Sequence, residues 1–285
     1  MPTFDTPEPI SVTIDRIVGD VWIVATDRTD TTVEVRPRNK SKQADAKAAE
    51  NAQVEYVGGR LVVRGPKLHT IIGRVPSINV TVELPSGSTV SGDSDMGDFS
   101  SEGRLGDCTF KSAMGHIRLG DVGSLHAVTA MGDVTVGRVA GDASIDTGSG
   151  EVRIGRIGGS GQVKNSNGAN TIGEVAGDLV VRAANGSVFV DRPQASVTVK
   201  TANGHIRVGE ATSGEVELET ASGEISVGIR KGTAAWLDVS TKYGTVHNVL
   251  EPAEGPAQSD STVEVRARTS HGDIVISRTS DRKEG

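Results

Sequence analysis

Three groups of residues in this 285-residue chain have types and spacings that bear on chemistry. Asp98, His116 and Asp133 are separated by 18 and 17 residues. A carboxylate–imidazole–carboxylate column of this kind would bind a divalent cation or exchange protons. In its structural reading, the histidine only relieves repulsion between two solvated acids. Lys164, Arg182 and Lys200 recur every 18 residues and would form a basic stripe able to hold an anionic polymer. No aromatic residues accompany the stripe, so base stacking and specific nucleic-acid recognition are not expected. Cys108 is the sole cysteine, which excludes an internal disulfide framework and any cysteine-rich metal site.

Other acid-rich or glycine-rich stretches read as turns. Asp93-Ser94-Asp95-Met96-Gly97-Asp98 has calcium-like composition but lacks the glycine and glutamate positions of an EF-hand loop. Gly158-Gly159-Ser160-Gly161 opens like a calcium β-roll repeat, but Gln162 stands where an aspartate is required. His116 and His205 share a column five coils apart and cannot meet at one metal. The remaining histidines, His69, His126, His247 and His271, form no ligand motif. There is no phosphate-binding loop, dinucleotide fingerprint, Gly-x-Ser-x-Gly or His-Glu-x-x-His.

These residues have meaning only through the elements that position them, and those elements repeat. Glycines preceding an apolar-x-apolar triplet fall at 97, 115, 132, 150, 168, 186, 204, 223, 244 and 272. A second column, Gly106, Gly123, Gly141, Gly159, Gly177, Ala195, Gly214 and Ala235, lies half a period away. Each repeat of about 18 residues therefore holds two short strands and two tight turns. Alternation places Ile117/Leu119, Val134/Val136, Val152/Ile154 and their counterparts inward, with Arg118, Thr135 and Arg153 outward. Cys108 takes an inward slot that is Leu179 and Val216 on other coils. A constant coil length lets each strand bond to the strand one coil away, so the expected fold is an all-β parallel β-solenoid.

The corners follow the same rule. Asn167, Asn185 and Asn203 precede three successive corner glycines, where stacked amides form a ladder. Asp107, Ser124, Asp142, Ser160, Asp178 and Ser196 follow the second column, and the serines separate charges that would otherwise repel. Residues 1–90 are expected to form a less regular β region and cap, with Thr32–Val35, Arg60–Val63 and Ile78–Leu84 continuing the strand series. Its one helix is expected within Lys42–Asn51. The solenoid is expected over 91–278, continuous with the cap as one elongated domain. A mobile loop is expected at 251–260 and a disordered tail at 279–285.

Composition agrees with a thin aliphatic core. Valine and isoleucine number 54 against 10 leucines, aromatics make up 3%, and glycine accounts for 36 residues. The net charge of −7 gives no basic field for nonspecific nucleic-acid binding. The N-terminus carries no secretory signal pattern and the longest clear apolar run is Val21–Ala25, so a cytoplasmic protein without a transmembrane segment is expected.

The array of Gly-Asp/Glu-Val-x-Val units, with Val163-Lys164-Asn165-Ser166-Asn167-Gly168 and Val80-Thr81-Val82-Glu83-Leu84-Pro85-Ser86-Gly87, resembles a bacterial β-strand-repeat family. Its members are labelled putative adhesins or domains of unknown function, and many come from high-GC Gram-positive bacteria. The resemblance spans nearly the whole chain and is most specific from Thr32-Val33-Glu34-Val35-Arg36-Pro37 through Val82-Glu83-Leu84-Pro85. It implies a repeat fold and a binding role, and it transfers no catalytic residue. The adhesin label would imply export, in contrast to the cytoplasmic expectation. The expectation is thus a non-enzymatic interaction or scaffold protein without a cofactor, whose partner is a protein or a second copy of the chain. The alternatives are a self-assembling rod and a polysaccharide-active β-helix enzyme centred on the Asp98 column.

Overall fold

The computed structural model describes residues 1–66, 75–250 and 261–279. His69, the loop expected at 251–260 and the tail from 280 onward lie outside the described residues. Two compact units form, one of Met1–Ala140 with Ile145–Ser149, the other of Gly141–Ser144 with Gly150–Gly285. No helix among the described residues is long and apolar enough to cross a membrane.

The first unit opens with β1 (Thr3–Asp5), β2 (Ser11–Val18), β3 (Val21–Thr26) and β4 (Asp30–Pro37). Helix α1 (Gln43–Glu50) follows, then β5 (Gln53–Val57), β6 (Arg60–Arg64), β7 (Ile78–Pro85), β8 (Thr89–Met96) and β9 (Phe99–Glu102). Regular coils begin with β10 (Cys108–Met114), β11 (Ile117–Val122), β12 (Leu125–Met131) and β13 (Val134–Val139). Strand β14 (Ala143–Ser149) contributes residues to both units. The second unit continues with β15 (Val152–Ile157), β16 (Gly161–Asn167), β17 (Asn170–Val175), β18 (Leu179–Asn185), β19 (Val188–Pro193), β20 (Val197–Asn203) and β21 (Ile206–Ala211). It ends with β22 (Gly214–Ser222), β23 (Ile225–Ile229), β24 (Thr233–Tyr243), β25 (Val246–Asn248), β26 (Ser261–His271) and β27 (Ile274–Arg278).

Both units are parallel β-solenoids. Strands bond to the strand one coil away, in unshifted register at Cys108 with Val90 and Leu125 and at Val197 with Leu179 and Val216, with a register shift between β21 and β23 after Val208. Inward residues predicted from alternation are buried: Ile117, Val134, Val152, Val188 and Ile206 all have essentially no exposed surface. The solenoid fold expected from the period is the fold observed.

Corner glycines are required by contact as well as by conformation. Gly168 has a φ of +139°, and a Cβ there would lie 1.9 Å from the carbonyl oxygen of Gly150 on the neighbouring coil. A hydroxyl or amide inside the coil binds the corner carbonyl in several coils. Thr220 Oγ1 donates to Gly204 O at 3.1 Å, Thr269 Oγ1 to Gly223 O at 3.1 Å and Asn165 Nδ2 to Gly150 O at 3.0 Å. These buried polar groups are satisfied, which is the condition for tolerating them inside.

The ends depart from a sequential stack. In the first unit β2 lies between β8 and β6, and β3 lies between β9 and β7. The expected continuation of the series through Thr32–Val35 is corrected here, because β4 runs antiparallel to β7 and β1 antiparallel to β4. β5 also runs antiparallel to β6, across Gly58 and Gly59 with φ of +57° and +78°. Two successive positive φ values suit a two-residue hairpin, which reverses the chain instead of advancing it by a coil. The helix forms where expected and packs on β4 and β7. Its Asp45 is buried and accepts backbone N–H bonds from Asn39 and Ser77. In the second unit β26 pairs with both β22 and β24, so the last coil in sequence lies inside the one before it.

Candidate interaction surface

Parallel pairing in the second unit aligns the outward residues of β16, β18, β20, β22, β26 and β24 in columns. Lys164 is registered with Arg182, and Arg182 with Lys200, so the predicted basic stripe is brought together. The register continues from Lys200 to Glu219, Arg268 and Ser240. The adjacent column carries Thr198, Glu217, Arg266 and Asp238. The stripe therefore runs into a field of alternating charge.

Lys200 is engaged by that field. Its Nζ lies 3.0 Å from Glu217 and 3.3 Å from Glu219, and these hydrogen bonds raise its pKa. Lys164 and Arg182 are exposed and make no ion pair among the described residues. Arg266 binds Glu215 at 2.7 Å and also meets Glu264, and Coulomb attraction to Glu215 is the main cause of its raised pKa. Arg268 reaches Asp238 at 3.3 Å. Such exposed pairs contribute little stability, and they keep charges of both signs close together on the surface.

Trp236 stands beside this field. It lies on β24 and keeps 58% of its surface exposed. A hollow of about 540 Å³ on one side is lined by Glu215, Ala235, Val263 and Glu264. A second, of about 330 Å³, is lined by Glu217, Glu219, Asp238, Arg266 and Arg268. β24 is an edge strand: among the described residues it pairs with β26 alone. Leu237 and Val239, its inward residues, remain half-buried. Sequence reasoning did not single out Trp236. The available signal was its outward slot, since alternation with inward Leu237 and Val239 places a large apolar ring in solvent.

The Asp98–His116–Asp133 column is in the first unit, one residue per coil. Asp98 Oδ1 accepts the backbone N–H of His116 at 2.9 Å, and Asp98 Oδ2 meets Arg118 at 2.9 Å. Burial works against the Asp98 charge, yet these two donors hold its carboxyl below the usual range. His116 Nδ1 accepts the backbone N–H of Asp133 at 3.0 Å and lies 3.3 Å from its Oδ2. Asp98 and His116 thus each bind the next coil's corner amide. Among the described residues, no group of three or more His, Cys, Asp or Glu side chains is placed to hold a metal ion. The acids on the opposite corner act in the same way: Asp107 and Asp142 accept the N–H of Ser124 and Ser160, each at 2.8 Å. The asparagine ladder is present, with Asn185 donating to Asn167 and Asn203 to Asn185, both at 3.0 Å. Cys108 is 3% exposed, and burial pushes its thiol up to about 12.

Comparison with known proteins places these features in a family. The family model described as Toastrack DUF4097 matches residues 11–281. A search of the curated proteins finds no match. Among solved structures, a putative adhesin from Parabacteroides distasonis ATCC 8503 is 13% identical, covering 98% of this chain and 95% of its own, with a TM-score of 0.38. A putative lipid binding protein from the same strain is 12% identical, covering 98% and 96%, with a TM-score of 0.37. A putative cell adhesion protein from Clostridium sporogenes ATCC 15579 is 11% identical, covering 98% of each chain, with a TM-score of 0.25.

Proposed function

Because the chain belongs to the Toastrack DUF4097 family, a β-solenoid repeat family, we propose that it acts as a non-enzymatic interaction module for a protein partner in the cytoplasm. The observation that carries this reading is Trp236, exposed on an edge strand between two hollows, with Arg266 and Arg268 lining one of them. An unpaired strand edge offers backbone donors and acceptors to an extended partner segment, while neighbouring hollows take alternate side chains. Tryptophan and arginine are the residues that most often dominate interface energetics. The mixed charges around them favour a partner of complementary pattern over one of uniform sign.

The test is a photo-crosslinking amino acid placed at Ser240 on β24, and separately at Arg118 in the first unit, each expressed in the native host. A discrete protein adduct at Ser240 and none at Arg118 is expected, recovered from the cytosolic fraction. W236A should weaken binding of the purified partner by at least about tenfold, the scale of an anchor residue. Undiminished binding by W236A would overturn the reading. So would binding that is lost on reversing the charges of Lys164 and Arg182 alone, which would move the partner's site from Trp236 to the basic stripe.

A further inference from the structure

The chain has four methionines, and three of them share one register position in the first unit. Met96 ends β8, Met114 ends β10 and Met131 ends β12. Met114 is paired with Met96 on one side and Met131 on the other. All three face solvent, with 47%, 37% and 53% of their surfaces exposed.

The solenoid does not require methionine there. On three successive coils of the second unit the residue preceding the corner glycine is Asn167, Asn185 and Asn203, whose amides bond to one another, and Ser222, His271 and Tyr243 hold the position on later coils. An exposed apolar side chain gains little from the hydrophobic effect, and three in a row cost solubility. What the three share is a thioether sulfur on a flexible stem. Neighbouring strands lie about 4.8 Å apart, so three side chains with three rotatable bonds each can converge on one point above Met114.

Acids adjoin the methionines, with Arg118 paired to Asp98 at 2.9 Å and Arg38 to Asp20 at 3.7 Å, so the choice of cation falls to the sulfurs. Asp98, His116 and Asp133 each follow one of these methionines by two residues, across the corner glycine, and Asp95 precedes Met96. Asp20 extends the acidic column, its carboxylate accepting the N–H of Asp98 at 3.2 Å. Hard cations prefer oxygen ligands, whereas neutral thioethers select soft cations such as copper(I). His116 keeps Nδ1 on the Asp133 amide at 3.0 Å and is not counted among the ligands.

We propose that Met96, Met114 and Met131 form a three-thioether site for a soft monovalent cation, the copper(I) and silver(I) class. The experiment labels the methionine methyl groups with carbon-13 and titrates the whole chain with silver nitrate in chloride-free buffer, followed by nuclear magnetic resonance. Three of the four methyl signals should shift together and saturate at a single equivalent. Copper(I), delivered anaerobically from a competing chelator, should give the same pattern. A triple variant, M96L/M114L/M131L, should bind silver at least about tenfold more weakly with unchanged circular dichroism, while C108S should bind as the native chain does. If silver leaves the methionine methyls unmoved, or if C108S loses the binding that the triple variant keeps, the proposal is wrong. Should the triple variant fail to fold, the methyl shifts of the native chain decide the matter alone.

Discussion

Replacing Gly168 with alanine tests the corner of the coil most directly. The new Cβ would lie 1.9 Å from Gly150 O and 2.7 Å from Gly150 C, where contacts below 3.0 Å are essentially never seen. The two coils must therefore separate locally by about 1 Å, judged against ordinary packing distances. That separation breaks the bond from Asn165 Nδ2 to Gly150 O, now 3.0 Å, and strains Gly150 N to Asn167 O and Gly168 N to Asn185 O, both 2.9 Å. Holding alanine in the glycine conformation costs about 1–3 kcal/mol. Leaving the part-buried Gly150 carbonyl unpaired costs about 1–3 kcal/mol more, while the Asn165 amide keeps Gly168 O at 3.2 Å and Asn170 Oδ1 at 3.1 Å. The expected loss is roughly 2–6 kcal/mol, a large part of the ~5–15 kcal/mol that holds a typical protein folded. Urea and thermal unfolding followed by far-ultraviolet circular dichroism should show a midpoint lower by about 10 °C. Gly232, with φ of +78° and no atom within 4 Å of its added Cβ, is the control. G232A bears only the conformational cost, about 1–2 kcal/mol. Unfolding of G168A within about 2 °C of the native chain, or no earlier than G232A, would refute the close-contact argument.

Three further outcomes are expected. T220V removes the buried hydroxyl that binds Gly204 O and should lower stability by about 1–2 kcal/mol in urea unfolding, whereas T220S should recover most of the loss. The Cys108 thiol, raised by burial from 9.0 to about 12, should be labelled by iodoacetamide at neutral pH about a thousandfold more slowly in the native chain than in urea. The Arg28 guanidinium holds the Asp30 and Glu83 carboxyls below the usual range, so their contribution is present above the unfolded-state value and is lost as pH falls through the folded one. Urea midpoints measured from about pH 5 down to about pH 2 should therefore fall more steeply for the native chain than for R28Q, with the two curves meeting at the acid end.

Much of the candidate surface is legible in the order of residues. The spacing of Lys164, Arg182 and Lys200 places them in one column, and they do share it. What spacing does not show is that Glu217 and Glu219 turn toward Lys200, which leaves Lys164 and Arg182 as the part of the stripe without an ion pair among the described residues. Ion pairing across columns depends on rotamers and on register in two directions, and a one-dimensional period carries only one of them. Relief of repulsion accounts for the serines between acidic corners, and hydrogen bonding gives a second cause, since each aspartate accepts the amide of the serine one coil on. Trp236 becomes conspicuous only because β24 is an edge.

The coil itself is dictated by the order of amino acids. Its period, the inward valines and isoleucines, and the corner glycines are set by sterics and solvent exclusion within about 18 residues, and these act the same way in every repeat. The order of the end coils is decided only in three dimensions. β26 enters between β22 and β24, β2 lies between β8 and β6, and β4 and β5 reverse direction. Coils of one length and one pattern can stack in any order with nearly equal local energy. Which coil becomes the neighbour is then set by loop closure and by which exposed edge each arrangement leaves or covers.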